Sequence, residues 1–87
     1  MTLHPDMPLE LDLAFRHVTR VATALHPQVS NNDIWSAVCY IVNPANLHLV
    51  NSYWSKKDAE IPVTVQLVSQ LPRNANFEWE VVYNAAV

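Results

Sequence analysis

The first pattern along the chain has the spacing of an amphipathic helix. Within residues 9–25, apolar side chains recur every three or four positions, and charged side chains mostly fall between them. The apolar stripe comprises Leu11, Phe15, Val18, Ala22 and Leu25, and the residues off the stripe are Glu10, Asp12, Arg16 and Arg20. Asp6 and Pro8 are suitable start signals, and His26-Pro27 ends the pattern. The sequence therefore predicts a long first helix with one buried face.

Residues 34–42 have the composition of a buried strand. They are rich in β-branched and aromatic side chains and are apolar on both alternating faces, which predicts a central strand. Asn43 and Pro44 then suit an N-cap and the first helical position, so a second helix should run to about Lys57. Its predicted inward residues are Leu47, Val50 and Trp54.

Two further strands are predicted in the last third of the chain. Residues 63–70 form the first, residues 71–74 break it, and residues 77–83 form the second, with Glu78 and Glu80 on its more polar face. The order helix, strand, helix, strand, strand predicts an α+β fold, with a mixed sheet and two helices packed on one face. Because the central strand is apolar on both sides, something outside the chain should cover the other face, and self-association is the simplest cover.

Composition places this pattern in one small domain. The chain has 87 residues, is 51% hydrophobic and carries a formal net charge of −3. We expect a single domain over residues 1–87, structured from about 9 to 83. Five Lys+Arg against eight Asp+Glu disfavour a nucleic-acid partner, and the polar residues within the uncharged stretch 34–55 disfavour a membrane span. With one cysteine and no N-terminal signal pattern, the expected compartment is the cytoplasm.

The chain contains no glycine. This excludes the glycine-rich loops that bind phosphate groups in nucleotide-binding folds. It also assigns left-handed backbone positions to Asn and Asp, the next most tolerant residues. We expect such positions at residues 31–33, at Asn43 and at residues 74–76.

Few residues have the spacing of a catalytic or metal site. No pair among His4, His17, His26 and His48 has the i, i+4 spacing of a zinc-binding helix, so no metal is predicted. Cys39 lies in an apolar run without a cationic neighbour, which favours a buried and unreactive thiol. The tryptophans, at positions 35, 54 and 79, are more typical of a core or an interface than of base stacking.

Glu78 and Glu80 are the remaining candidates for chemistry. They lie two residues apart on a strand, so both project from the same face. Either they form a solvated strand face, or one of them borders a cleft and positions a water molecule or a proton. Their spacing does not decide between these alternatives.

Two segments of the chain resemble a known family. Residues 65–81 read VQLVSQLPRNANFEWEV, with a Leu-Pro-Arg turn between two strands, and residues 46–54 read NLHLVNSYW. These segments resemble the closing hairpin and the second helix of the RidA family, also called YjgF or L-PSP endoribonuclease-like. The resemblance extends over residues 9–82. The turn and the strand after it are similar to the second RidA-like domain at the C-terminus of fungal diphthine–ammonia ligases, which use ATP and ammonium to amidate diphthine on elongation factor 2.

The resemblance implies a chorismate-mutase-like fold that assembles as a trimer or pseudo-trimer, with ligand clefts between subunits. It also implies site residues: Glu78 matches a glutamate that orients the water in imine or enamine hydrolysis, and Asn51 matches a cleft-lining asparagine. The family's arginine for the substrate carboxylate is replaced by Val63, or by Thr64 with a one-residue shift. Arg73, in the turn, is a further ligand-binding candidate. The family's N-terminal hairpin is missing from the 87 residues.

Three functions follow as alternatives. The first is a RidA-like assembly or ligand-binding domain of a diphthine–ammonia ligase, partnered by two further copies or by a sister domain. Such a domain would have little catalytic activity of its own and no cofactor. The ATP would be used by another domain of the parent ligase. The second is an imine or enamine deaminase in which Glu78 orients the water. The third is a non-catalytic module that binds a small 2-oxo or imino acid or a protein.

Overall fold

A computed structural model describes residues 7–30, 33–57 and 61–83 of the chain. Its elements follow in the predicted order. The helices are α1 (Met7–Leu25) and α2 (Leu47–Ser55), the strands are β1 (Ile34–Ile41), β2 (Thr64–Leu67) and β3 (Phe77–Tyr83), and single 3-10 turns span Pro44–Asn46 and Pro72–Asn74. The predicted α+β class is therefore confirmed.

The three strands form one mixed sheet in the order β2-β1-β3. β1 pairs in parallel with β2 and antiparallel with β3. The chain between β1 and β2 contains α2, because parallel neighbours need a crossover connection. The prediction that β1 is central is confirmed.

Both helices pack on the same face of this sheet, as predicted. Phe15 of α1 packs edge-on against Trp54 of α2 and Trp79 of β3, with ring centroids 5.7 and 5.1 Å away. The indole N–H of Trp54 donates to the carbonyl of Ile61 at 2.8 Å, and that of Trp79 donates to the carbonyl of Leu11 at 3.3 Å. The aromatic side chains thus hold the helices on the sheet without leaving their polar groups unpaired.

Glu10 is a charged residue inside this buried region. Its side chain is 0% exposed, and its carboxylate accepts the backbone N–H of Asn76 at 2.9 Å and the Asn76 side-chain amide at 3.0 Å. A carboxylate removed from water needs donors of this kind. The apolar pattern placed Glu10 off the buried stripe, and that prediction is wrong because the segment entering β3 supplies the donors. The contact fixes the first turns of α1 to the start of β3.

Two predicted inward residues are exposed instead. Leu25 is 72% exposed because α1 buries only residues near its start, and a helix of 19 residues, about 28 Å long, extends past the sheet. Leu47 is 45% exposed because the 3-10 turn before it, with three residues per turn, changes the phase of the helix. The other predicted inward residues of α2, Val50 and Trp54, are buried.

The backbone assigns the left-handed positions differently from the prediction. Positive φ angles occur at Arg73 (59°) and Asn74 (56°) within the described ranges, so the expectation for Asn74 is confirmed. Asn43 has an extended φ of −108°, so that expectation is wrong. Its side chain instead accepts the N–H of Ala45 at 3.0 Å, which confirms the predicted N-cap. Two of the other predicted positions, residues 31 and 32, lie outside the described residues.

β2 is shorter than predicted. It spans Thr64–Leu67 rather than residues 63–70, because β1 ends at Ile41 and offers no further ladder partner. The last backbone bond of this pair runs from the N–H of Val68 to the carbonyl of Ile41 at 2.9 Å.

Replacing Glu10 with alanine should lower the free energy of unfolding by about 2–4 kcal/mol, because Asn76 loses both acceptors at a buried site. Urea denaturation followed by tryptophan fluorescence measures this loss. The matched control is Glu78→Ala, which removes an exposed carboxylate that forms no hydrogen bond with another described side chain and should change the free energy by no more than about 0.5 kcal/mol. Equal losses for the two variants would contradict the role assigned to Glu10.

Candidate functional site

The face of the sheet opposite the helices is not covered by any described element. We call it the open face, and it consists of Ser36, Val38 and Tyr40 of β1, Thr64 and Gln66 of β2, and Glu78, Glu80 and Val82 of β3. Its two complete cross-strand rows are Thr64–Val38–Glu80 and Gln66–Tyr40–Glu78. The open face is the surface on which the predicted acidic residues lie.

The centre of the open face carries Val38 and the aromatic ring of Tyr40, and its β3 edge is negatively charged. Val38 and Tyr40, on the central strand, are half-buried, whereas Glu78 and Glu80 are exposed. The hydroxyl of Tyr40 donates to the Glu80 carboxylate at 3.3 Å. Burial raises the pKa of the Tyr40 hydroxyl and the neighbouring Glu80 charge raises it further, so the hydroxyl stays a neutral donor.

The structure brings together only some of the predicted site residues. Thr64 and Glu78 lie on the open face, in adjacent rows of the sheet. Val63 is half-buried and packs against the hydrophobic core. Asn51 is exposed on α2, which packs on the other side of the sheet. Within one copy of the chain, Asn51 and Glu78 therefore do not share a cleft.

Arg73 lies in a groove of about 790 Å³ between α1 and the start of β3. One wall is formed by residues 13, 14, 16–18 and 20 of α1, and the other by residues 72, 73 and 75 and the first residues of β3. Glu78 is among these β3 residues, so the predicted site residues Arg73 and Glu78 line the same groove. All three arginines of the chain, Arg16, Arg20 and Arg73, line this groove. We call it the arginine groove. The sequence alone does not predict this groove. Arg16 and Arg20 lie one helical turn apart, but no local sequence pattern places Arg73 beside them.

The three arginines differ in their partners. The Arg16 guanidinium pairs with the Asp12 carboxylate at 2.8 Å, and the same carboxylate accepts the Tyr53 hydroxyl at 2.7 Å. Burial and the contact with Asp12 raise the pKa of Tyr53, so the hydroxyl remains a donor. Arg20 and Arg73 form no ion pair or hydrogen bond with side chains of the described residues. Two exposed guanidinium groups thus line the groove without a side-chain partner in the part of the chain that the structure describes.

Cys39 is fully buried in the core. Burial raises the pKa of its thiol to about 12. The predicted burial of Cys39 is confirmed, and since the thiolate is the reactive form, we expect the thiol to react slowly.

The described residues show neither a metal cluster nor a membrane helix. Across residues 7–30, 33–57 and 61–83, no three His, Cys, Asp or Glu side chains are grouped so that they could hold a metal ion. In the same ranges, no helix has the length and apolar character needed to cross a membrane.

Comparison with known proteins shows one relative whose sequence is similar to most of the chain. The chain is 35% identical to the diphthine–ammonia ligase of Schizosaccharomyces pombe over 88 aligned positions, which cover 97% of the chain. The match spans 14% of the length of that ligase. No family model matches the chain, and no solved structure matches it. The chain is thus similar to one segment of a diphthine–ammonia ligase, and the RidA-like fold stays a prediction.

Cys39 should react with iodoacetamide at least about tenfold more slowly in the native protein than in denaturant, at the same mildly alkaline pH. The reason is that burial keeps the reagent away from the thiol and raises the pKa of the thiol, so that less of it is thiolate. Mass spectrometry of samples quenched over time measures both rates. Similar rates in the native and denatured protein would contradict the buried placement.

Proposed function

We propose that this chain is a RidA-like assembly domain of a diphthine–ammonia ligase and contributes to diphthamide biosynthesis. The observation that supports the proposal is the match of nearly the whole chain to a segment of the Schizosaccharomyces pombe ligase. Because that segment is 14% of the ligase, the ATP-dependent amidation of diphthine would belong to the rest of the parent protein.

The open face has the anatomy of an interface. Stable interfaces combine an apolar centre with a polar rim. On the open face the half-buried Val38 and Tyr40 lie on the central strand, and Thr64, Glu78 and Glu80 lie on the two outer strands. Two further copies of the chain, or a sister RidA-like domain, would cover the apolar centre and leave the carboxylates at the rim. This arrangement supports an assembly role.

Imine or enamine deamination has less support on the same face. Glu78 is exposed there and could orient a water molecule, but the substrate carboxylate also needs a cation. Thr64 is neutral and Val63 packs into the core, so neither position that matches the family's arginine supplies a cation, and the arginines nearest Glu78 are those of the groove that Glu78 also lines. The open face itself carries no cationic side chain among the described residues, which weighs against a small 2-oxo or imino acid as its ligand. We therefore propose assembly rather than turnover.

A segment exchange in the Schizosaccharomyces pombe ligase tests this function. The ligase without its matching segment should fail to make diphthamide in cells that lack their own ligase, and insertion of this chain should restore it. Val38→Lys in the inserted chain should reduce the restored level, because it places a charge in the apolar centre of the open face. Mass spectrometry of elongation factor 2 measures the diphthamide.

Ser52→Lys is the control for this exchange, since it adds the same charge at an exposed position of α2. It should restore diphthamide as well as the unchanged chain does. The proposal is wrong if the ligase without the segment keeps full activity, if the folded insert restores nothing, or if Val38→Lys and Ser52→Lys behave alike.

A further inference from the structure

The proposed assembly role makes no use of the arginine groove. The chain is acidic overall, with a net charge of −3, yet all of its arginines line this one groove. Arg20 projects from α1 and Arg73 from the opposite wall, both exposed and without an ion-pair partner among the described residues. Guanidinium groups form charge-assisted hydrogen bonds with carboxylates. The groove therefore offers such donors from two of its walls, with Glu78 as the acidic side chain of its lining.

The backbone of Arg73 has a strained conformation. Its φ of 59° and ψ of 25° lie in the left-handed region, which is energetically unfavourable for residues other than glycine. The turn persists because the N–H of Ala75 donates to the carbonyl of Pro72 at 3.1 Å and because Glu10 holds Asn76. Hydrogen bonds of the flanking residues therefore hold the strained Arg73 in place.

The floor of the groove is apolar and extended. Leu13, Val18 and Trp79 contribute to its lining. The groove also touches Phe77, Glu78 and Trp79, three consecutive residues whose side chains alternate between the two faces of the sheet, so it reaches the outer edge of β3. β3 pairs with β1 on one side, and no described strand pairs with its other side. An extended peptide could therefore meet apolar surface, cations and free backbone groups together.

We propose that the arginine groove binds an extended acidic peptide segment of a partner protein. Carboxylates of the segment pair with Arg20 and Arg73, and its apolar side chains pack on Leu13 and Val18. A compact polyanion fits less well, because Asp12 already neutralises Arg16 and the Glu78 carboxylate lies at the rim. An extended segment spaces its carboxylates to reach the arginines and avoid Glu78. This binding is independent of the proposed role in diphthamide biosynthesis.

Fluorescence anisotropy with a labelled synthetic peptide tests the proposal. In the acidic probe glutamate alternates with valine, in the basic probe lysine replaces each glutamate, and tripolyphosphate is the compact anion. The double variant Arg20→Gln/Arg73→Asn should weaken binding of the acidic probe at least about tenfold, since it removes both charge-assisted contacts. Asparagine suits the left-handed position, so the turn is kept. The single variant Arg20→Gln changes only an exposed helix position and should weaken binding in the same direction.

Lys56→Gln is the matched control, because Lys56 is exposed at the end of α2 and outside the groove. It should change the affinity by less than about twofold, and added salt should weaken binding of the acidic probe. Circular dichroism of each variant checks that the fold is kept. The proposal is overturned if the acidic probe does not bind, if the basic probe binds equally well, if Lys56→Gln weakens binding as much as Arg20→Gln, or if only tripolyphosphate binds.

Discussion

The buried contact between Glu10 and Asn76 is the constraint on which the rest of the structure depends. It joins the beginning of α1 to the beginning of β3 through two hydrogen bonds to one carboxylate that has no access to water. Because a buried carboxylate without donors is strongly unfavourable, α1 and the turn before β3 cannot shift relative to each other without losing both bonds. The contact thereby fixes where β3 starts and the place of the left-handed Arg73.

The second organising feature is the asymmetry of the sheet. On the helix side, Ala37, Cys39 and Ile41 of β1 are fully buried under the aromatic cluster of Phe15, Trp54 and Trp79. On the open side the same strand carries residues that are only half-buried. The two helices cover one face of the three-stranded sheet, and no described element covers the other face. The fold therefore has an uncovered sheet face and, beside α1, a groove lined by the arginines, and Glu78 borders both.

Local patterns predicted most of the fold. The helical spacing through Leu11 and Phe15, the doubly apolar β1 and the Asn43 cap each depend on residues close in sequence, and the structure confirms them. The buried Glu10 could not be predicted, because its donors come from a residue far along the chain. Leu25 is exposed because α1 extends past the sheet, and Leu47 is exposed because a 3-10 turn precedes α2. The hydrophobic periodicity of the sequence contains neither piece of information.

The candidate site was predicted less completely than the fold. Alternation along β3 correctly placed Glu78 and Glu80 on one face. The arginine groove requires Arg73 to meet α1, a contact set by tertiary packing rather than by spacing. Asn51 and Glu78 could share a cleft only if Asn51 came from a second copy of the chain, because α2 and Glu78 lie on opposite sides of the sheet. Sequence patterns predict which residues share one face of a helix or strand. The candidate sites are formed by residues of different elements, so these patterns do not predict them.

The most direct test of the account is the mass of the isolated chain in solution, measured by sedimentation equilibrium. If a neighbouring copy covers the open face, the chain should have a mass that is a multiple of 9.9 kDa, with a trimer expected, and Val38→Lys should return it to the single-chain mass. A folded chain that remains a 9.9 kDa monomer at high concentration would contradict the proposal that copies of this chain cover the open face.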